Sequence, residues 1–427
     1  MLIKNDKKTI RAWTFYDWAN SVYPLVISSA IFPIFYEKVT KNDLNGLIPF
    51  LGGSFINTAF YGYVVALSYL IVAFSSPLLS GMADYSDGKK RFLQLFCYLG
   101  SFSCIALSFF STEHILLSML ALMLASVGYW GSLVFYNAYL PEIADPDQHD
   151  KISARGFAMG YVGSSLLLIA ILVLAVFTKT IPKIQYTFAL VGLWWIGFAQ
   201  VTFRRLPSSV EPTGKKKHLL SSGYKELKNV WVDLKNRLQL RRFLASYFMY
   251  NMGVQTVMIM AVPFATKAIL WDNEKQQQQS LIISILIIQF LGVAGAFMMS
   301  KLSSIIGNIK TIGLNIVIWA GICVYTYLLV DTPIEFYIVA ACVGLVMGGI
   351  QAMSRSTYSK MLPETKDHAS YFSFYDVSEK IGLAIGTTTF GLIEDVTGGI
   401  RNSVLSLILI FIVGFVLLLR VPKEQKA

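Results

Sequence analysis

Several charged residues stand inside long apolar stretches, where ionisable side chains are rare. Asp17 follows Arg11 by six residues, and Glu379 is followed directly by Lys380. A charge at membrane depth is costly, so such residues commonly bind ions, protons or substrates. Lys380 can hold a substrate carboxylate or neutralise an internal acid, or the two residues can only hold helices together. Neighbouring helical residues point about 100° apart, so these two do not serve one partner side by side.

Asp17 and Asn20 share one predicted helical face with further polar residues. A rise of about 1.5 Å per residue puts Asp17 about 9 Å from Arg11, in the third of the membrane nearest that end. A polar face of this kind points into a cavity or towards another helix. Asp17 is either a coupling or gating acid or half of a fixed salt bridge to Arg355 or Arg11. The rest of the face is Ser21, Pro24 and Ser28.

One arginine and several amides are candidates for contact with a solute. Arg355 lies two turns before Pro363, and it can bind a carboxylate through two nitrogens or belong to a cytoplasmic gate. Gln351 is one turn deeper on the same face, which favours direct contact. A buried amide can instead bond a neighbouring backbone group. Further candidates for the lining of a cavity are Trp130, Asn137, Asn251, Gln255 and Gln289.

The sequence lacks the residue patterns of common catalytic and metal sites. Its four cysteines form no C-x-x-C pair, its four histidines are predicted in loops, and no H-E-x-x-H stretch occurs. The nucleotide-binding pattern G-x-x-x-x-G-K-[ST] is also missing. We therefore expect no metal, no cofactor and no enzymatic activity, and we expect an ion or solute gradient as the energy source.

The elements that must position these residues are apolar stretches of about 20 residues. Of the 427 residues, 55% are hydrophobic and 14% are charged. The alternating segments of a membrane β-barrel are absent, and closed helices then satisfy the backbone in lipid. We predict an all-α membrane protein with twelve transmembrane helices, called spans 1 to 12, near residues 12–36, 58–80, 92–111, 115–140, 156–178, 184–204, 243–270, 280–300, 311–330, 334–361, 371–393 and 402–420.

The net charge of +11 is explained by the loops, without a nucleic-acid partner. An even number of spans puts both termini on one side, and the great majority of the lysines and arginines fall on that side. Loops rich in Lys and Arg remain in the cytoplasm. The sequence therefore predicts a multi-pass protein of the inner or plasma membrane with both termini cytoplasmic.

The segment 206–240 separates six spans from six. It divides the chain into an N-terminal bundle (1–205), a linker (206–240) and a C-terminal bundle (241–427). The linker has apolar residues at steps of four and three, which predicts an amphipathic helix at the cytoplasmic membrane surface or, alternatively, a solvated linker helix. The stripe consists of Leu220, Tyr224, Leu227, Trp231, Leu234 and Leu238.

The two halves resemble each other. Span 4 ends in Tyr136-Asn-Ala-Tyr-Leu-Pro-Glu142, and span 10 ends 222 residues later in Tyr358-Ser-Lys-Met-Leu-Pro-Glu364. Together with the layout of six spans, a linker and six spans, this match indicates duplication. Two parallel repeats about an axis along the membrane normal form the major facilitator fold, which we predict here as two six-helix bundles.

The loop after span 2 supports this fold. It runs Gly81-Met-Ala-Asp84-Tyr-Ser-Asp87-Gly88-Lys89-Lys90-Arg91 and resembles the signature loop of the major facilitator superfamily, roughly G-x-x-x-D-x-x-G-R-R. The aspartate can cap a helix or pair with a base across the halves. The equivalent stretch of the second half, 301–310, lacks an acid. We predict a gating loop containing Asp84, Asp87, Gly88, Lys89 and Lys90.

Three stretches resemble the vacuole-effluxer-like family of that superfamily. They are Tyr16-Asp17-Trp18-Ala19-Asn20-Ser21 with the later Phe32-Pro33, the segment from Ile152 to Gly163, and the segment from Gly348 to Ser356. The resemblance covers most of the chain except the linker. It implies a secondary transporter, and more weakly an amino-acid-like substrate, because fungal members are associated with export of amino acids from the vacuole.

We therefore expect a monomeric secondary transporter in a lipid bilayer that moves a small polar solute, with protons as the candidate coupling ion and Asp17 and Glu379 as the candidate coupling acids. Peptides, sugars or cell-wall fragments are alternative cargoes. A receptor or scaffold that binds without transport is the alternative of another class.

Overall fold

A computed structural model describes residues 4–50, 52–86, 88–177, 184–207 and 219–422. The N-terminal bundle contains six long helical spans. Span 1 consists of three consecutive segments, and a two-stranded hairpin follows it. The elements are Lys7–Asn20, the π-helical Tyr23–Ile31 and Phe32–Leu44 (span 1), strands Leu47–Phe50 and Gly53–Ile56, Asn57–Tyr85 (span 2), Lys89–Ala106 with Leu107–Phe109 (span 3), Ile115–Ala138 with Leu140–Ile143 (span 4), Pro146–Gln148 with His149–Phe177 (span 5) and Tyr186–Arg205 (span 6).

A helix of the linker, Leu219–Asn236, precedes the C-terminal bundle. Six further spans follow in an up-and-down order with short connections. They are Leu238–Ala268 (span 7), Glu274–Ile306 (span 8), Asn308–Leu329 (span 9), Pro333–Met361 (span 10), His368–Thr397 (span 11) and Ile400–Leu419 (span 12).

Span 11 differs from the others in polarity. Eleven helical stretches of the described chain are long and apolar enough to cross a membrane, and span 11 is not among them. It has 30 residues, which is ample length, but it carries Asp376, Glu379 and Lys380 near its middle. These charges lower the hydropathy of the helix that carries most of the candidate site.

Span 1 extends to Leu44, so the predicted end at residue 36 was wrong. Pro24 and Pro33 lie in the first positions of their helical segments, where a missing backbone N–H is tolerated, so helical turns continue to Leu44. Asn45 then takes a left-handed conformation with φ 52° and ends the helix. The hairpin that follows was not predicted, and it pairs Leu47 with Ile56 in an antiparallel register.

The most extensive contacts between the two bundles involve four pairs of spans. Spans 2 and 4 contact span 11, and span 5 contacts spans 8 and 10. The linker helix packs against spans 2, 7 and 11, so it touches both bundles. Its predicted apolar stripe is divided in the structure: Leu234 is buried, whereas Tyr224 and Trp231 are exposed. The helix ends at Asn236, and Leu238 begins span 7.

Candidate functional site

Twelve crossings bring both described chain ends, residues 4 and 422, to the same side, which we call the terminus side. A hydrogen bond joins each of these ends to the bundle that it belongs to. The backbone N–H of Asn5 donates to the carbonyl oxygen of Ile143 at the end of span 4, and Gln239 at the start of span 7 donates to the carbonyl oxygen of Pro422.

The central site surrounds Lys380, which is 2% exposed. Its Nζ lies 3.0 Å from Asp376 Oδ1, one helical turn earlier, and 3.9 Å from Glu379 Oε2. On the other side, Nζ lies 3.5 Å from the ring centroid of Trp130 in span 4. A cation over an indole face is attracted by about 2 kcal/mol when desolvated. Lys380 therefore connects the two bundles at this depth.

Glu379 has partners on span 7. Gln255 Nε2 donates to Glu379 Oε1 at 2.8 Å, and the hydroxyl of Tyr247 donates to Oε2 at 3.3 Å. Glu379 and Lys380 thus contact different helices, as their angular separation predicts. The structure brings together four of the predicted residues in what we call the central site: Trp130, Gln255, Glu379 and Lys380, with Asp376 as a fifth member.

The gate pair is formed by Asp17 of span 1 and Arg355 of span 10. Arg355 Nη1 lies 3.4 Å from Asp17 Oδ2, and both side chains are buried. Tyr136 donates its hydroxyl to the same carboxylate oxygen at 2.7 Å. Arg355 also donates through Nη1 to Asn137 Oδ1 at 3.4 Å. Of the two partners expected for Asp17, Arg355 is the one observed.

Arg355 is held by span 5 as well. Its Nε donates to Ser153 Oγ, and its Nη2 donates to the Ser153 carbonyl oxygen, both at 2.9 Å. Its guanidinium carbon lies 4.1 Å from the Phe157 ring centroid. Gly156 leaves room for the pair, since a Cβ there would lie 2.9 Å from Arg355 Nη2. The guanidinium of Arg355 donates to Asp17, Asn137 and Ser153, an arrangement that fits a gate better than a free solute-binding cation.

The predicted amides fall into two groups. Gln351 accepts a hydrogen bond from the Tyr161 hydroxyl at 2.7 Å, and this contact again joins the bundles. Asn20 Nδ2, Asn251 Nδ2 and Gln289 Oε1 are buried polar atoms without a hydrogen-bond partner among the described residues. Such unsatisfied groups are uncommon and call for an explanation in function.

The predicted gating loop contributes Asp84 and Lys89 to a latch between the bundles. Asp84 accepts hydrogen bonds from the backbone N–H and the hydroxyl of Ser370, at 2.7 and 2.8 Å. Residues of span 2 thereby cap the first turn of span 11, where the helix dipole favours a negative charge. Lys89 Nζ lies 3.6 Å from Asp84 and also contacts Glu142.

The latch is completed by a histidine, His368. Its Nδ1 lies 3.1 Å from Glu142 Oε1. The prediction that all four histidines lie in loops was wrong for His149 and His368, which begin spans 5 and 11. Of the other loop residues, Gly88 precedes the first turn of span 3, and Lys90 donates to the Leu206 carbonyl oxygen at 2.9 Å. Asp87 lies outside the described residues.

A second latch lies at the turn between spans 8 and 9, which lacks the acid of the signature loop and contacts an acid of the other bundle instead. Asp150, at the start of span 5, accepts from Lys360 Nζ at 2.7 Å and from Asn308 Nδ2 at 2.7 Å. Ser303 at the end of span 8 donates to the same carboxylate at 3.0 Å. The acid therefore stands on span 5 and meets the span 8–9 turn from the other bundle.

Several of these residues were missed by the sequence analysis. Asp376 could have been found from its spacing of four residues to Lys380, since such pairs share a helical face. Glu142 was part of the noted repeat but received no role. No local signal pairs Asp150 with Lys360, because 210 residues separate them.

The inter-bundle contacts between acidic and basic side chains of the described residues are Asp17–Arg355, Glu142–His368 and Asp150–Lys360. All three join ends of spans that lie towards the terminus side. The structure is therefore closed on that side, and the central site lies deeper along the same bundle interface.

Two six-helix bundles with a polar interface between them define a transporter of the major facilitator superfamily. The fold matches that of the transporter FucP, crystallised in the outward conformation, with a TM-score of 0.68, 14% identity and coverage of 98% of this chain and 99% of that chain. A curated relative, an uncharacterised MFS-type transporter YxiO of Bacillus subtilis, is 31% identical over 99% of this chain and 97% of its own length. Autophagy-related protein 22-1 of Penicillium rubens is 23% identical, covering 98% and 90%.

The chain belongs to the family described as vacuole effluxer Atg22 like, which matches residues 5–150 and 144–427. The resemblance seen in the sequence is thereby confirmed, and so is the expectation of a transporter of a small solute. These relatives and structural neighbours are transporters and not enzymes.

Proposed function

We propose that this protein carries a small polar, amino-acid-like solute across the membrane by alternating access, with coupling to protons. The observation that carries the proposal is the central site, where Lys380 lies beside the carboxylates of Asp376 and Glu379 at the bundle interface. A zwitterion needs a cation for its carboxylate and an anion for its ammonium group. Lys380 supplies the first, and Glu379 or Asp376 supplies the second.

Buried charges are stable only when they are paired. In the solute-free site Lys380 Nζ lies 3.0 Å from Asp376 and 3.9 Å from Glu379, so the charges are paired, but Lys380 Nζ and Asp376 Oδ2 have no hydrogen-bond partner among the described residues. A zwitterion can supply these hydrogen bonds without leaving a charge unpaired. The amide nitrogens of Asn20 and Asn251, which have no partner among the described residues, offer hydrogen-bond donors for the same solute. Membership of the vacuole effluxer Atg22 like family supports a small solute as cargo.

Alternating access follows from the terminus-side contacts. To open that side, span 1 must part from span 10, spans 2 and 4 must part from span 11, and span 5 must part from spans 8, 9 and 10. The gate pair and both latches would then break together while the bundles rock around the central site. Asp17 serves in this scheme as a gate acid.

Glu379 is the coupling acid that we favour. It stands next to Lys380 in the central site, so its protonation changes the charge that the solute meets. Asp17, by contrast, is already paired with Arg355 and accepts a hydrogen bond from Tyr136. The test is uptake into liposomes under an imposed pH gradient. Uptake driven by a solute gradient but never by a pH gradient would overturn proton coupling and leave transport intact.

We further propose that the terminus side is cytoplasmic in an inner or plasma membrane and that one chain is sufficient for transport. The excess of Lys and Arg on that side supports the orientation. Cysteines introduced at Lys8 and Glu113, both exposed positions on opposite sides, test it. An impermeant thiol reagent added to intact cells should label Glu113→Cys and spare Lys8→Cys, and the reverse pattern would overturn it.

The substrate class is tested by thermal unfolding of the purified protein with amino acids, dipeptides, sugars, nucleosides and organic acids. A ligand at 100 times its Kd stabilises the folded state by about 2.7 kcal/mol. We expect a shift with amino acids that is lost in Lys380→Ala. A shift with sugars alone would replace the amino-acid proposal with a sugar carrier. Binding without flux in liposomes would indicate a receptor.

A further inference from the structure

The linker helix Leu219–Asn236 has two faces of different character. Gly223, Val230 and Leu234 are buried against the bundles. Tyr224 and Trp231, on the neighbouring face, are 64% and 45% exposed. A tyrosine and a tryptophan seven residues apart on one exposed helical face need an explanation, because aromatic rings of this kind concentrate where apolar and aqueous surroundings meet.

The charges of this helix are segregated between the faces. Lys225, Lys228 and Lys235 are exposed. At about 100° per residue, they share one sector of the helix with Tyr224 and Trp231. Lys235 Nζ lies 5.0 Å from the Trp231 ring centroid. The outward sector therefore combines aromatic and basic side chains and contains no acid.

The acids of the helix point the other way, towards span 11. Asp233 accepts a hydrogen bond from the hydroxyl of Tyr371, and Glu226 interacts with Asp367 in the turn before span 11. Among the described residues Lys225, Lys228 and Lys235 form no ion pair, although Lys225 interacts electrostatically with Glu226, so the outward face keeps a net positive charge.

The buried face of the linker helix packs against the terminus-side end of span 2. Gly223 contacts Gly81 of span 2, since a Cβ at Gly223 would lie 3.3 Å from the Gly81 carbonyl carbon. Leu67 and Phe74 precede Gly81 by steps of seven and share its helical face, and they are 49% and 80% exposed. The linker helix thus lies at the terminus-side end of an apolar, lipid-exposed stripe.

We propose that this face, formed by Tyr224, Lys225, Lys228, Trp231, Val232 and Lys235, binds anionic lipid headgroups of the adjoining leaflet. The aromatic rings would lie at the level of the headgroups, and the lysines would extend towards phosphate groups. The helix also contacts span 11 through Trp231, whose ring lies 5.4 Å from that of Phe374. Bound lipid would hold a helix that touches both bundles.

The test uses the full chain in nanodiscs with brominated phosphatidylcholine or brominated phosphatidylglycerol, because bromine quenches nearby tryptophan fluorescence. The signal of Trp231 is the difference between the unmodified protein and Trp231→Phe. We expect stronger quenching by the anionic lipid at equal mole fraction. Replacing Lys225, Lys228 and Lys235 together by Gln should remove this preference, since each basic residue contributes about fivefold to the affinity for an anionic surface.

The matched control replaces three other exposed terminus-side lysines, Lys151, Lys301 and Lys310, by Gln. It removes the same charge and should leave the preference at Trp231 intact. Equal quenching by the two lipids, or none by either, would overturn the proposal. Loss of the preference on addition of millimolar inorganic phosphate would also overturn it, because the face would then be a site for free anions.

Discussion

Asp17 Oδ2 and Arg355 Nη1 lie 3.4 Å apart, although 338 residues separate them, and the contact joins span 1 of one bundle to span 10 of the other. The pair is buried and is surrounded by Tyr136, Asn137 and Ser153. A buried charge that loses its partner is destabilised by about 3–5 kcal/mol. The closed terminus side therefore depends on both residues at once.

Asp17→Asn should open the terminus side, because it leaves the Arg355 charge buried without a counter-charge. We expect faster hydrogen–deuterium exchange in the terminus-side turns of spans 5 and 10 and a lower melting temperature. The control is Lys267→Gln, which breaks an ion pair to Glu394 within one bundle at an exposed position. Hydrogen–deuterium exchange equal to that of Lys267→Gln would show that the Asp17–Arg355 pair does not keep the terminus side closed.

Gly156→Ala should disturb the gate pair by steric contact alone. The added methyl group would lie 2.9 Å from Arg355 Nη2 and against the Asp17 carboxylate. Overpacking of this kind costs about 1–3 kcal/mol, and we expect a matching loss in thermal stability. Gly197→Ala in span 6 is the matched control, because a Cβ there meets nothing within 4 Å. Equal melting temperatures for the two variants would contradict this account.

Glu379→Gln and Lys380→Gln should separate coupling from binding. Glu379→Gln keeps a hydrogen-bonding side chain but cannot carry a proton, so exchange of labelled for unlabelled solute should persist while a pH gradient no longer drives accumulation. Lys380→Gln removes a charged hydrogen-bond donor worth about 1.5–3 kcal/mol, and solute affinity should fall roughly ten- to a hundredfold. The readouts are liposome exchange and calorimetric binding. Retained pH-driven uptake in Glu379→Gln would assign coupling to another acid.

Asp84→Ala should weaken the latch, because the first turn of span 11 would lose its cap. Loss of a cap costs about 1 kcal/mol. Thr332→Ala at span 10 is the control, since Thr332 forms a capping box with Glu335 away from the bundle interface. Both variants should lower stability by similar amounts, but only Asp84→Ala should increase hydrogen exchange on the terminus side. An equal increase in terminus-side hydrogen exchange in both variants would show that Asp84 acts only as a helix cap.

Glu226 in the linker helix should make stability depend on pH. Burial and the neighbouring Asp367 raise the pKa of Glu226 above its usual value. The folded protein then holds this proton at pH values where the unfolded chain has lost it, so stability decreases as pH rises through the raised pKa. Glu226→Gln should flatten this part of a melting-temperature profile measured from about pH 4 upward. An unchanged slope would show that another group titrates there.

Much of the architecture could be predicted because each span carries its own signal. Apolar length, the repeat of Tyr136 to Glu142 at Tyr358 to Glu364, and the polar linker gave the twelve spans and their division. Charge inside apolar stretches marked Asp17, Glu379 and Lys380. The predicted end of span 1 at residue 36 was wrong because helical turns continue through the polar residues after Tyr36 to Leu44, where the left-handed Asn45 ends the helix.

The sequence by itself therefore determined the class of the protein, the number of spans and which helices carry polar residues, since hydropathy and helical period act within about 30 residues of chain. The partners of those polar residues were decided only by the tertiary structure. Arg355 pairs with Asp17, Lys380 with Asp376 under Trp130, and Asp150 with Lys360. Except for Asp376 and Lys380, these partners come from different bundles, and their contact depends on how the two halves of the chain pack against each other.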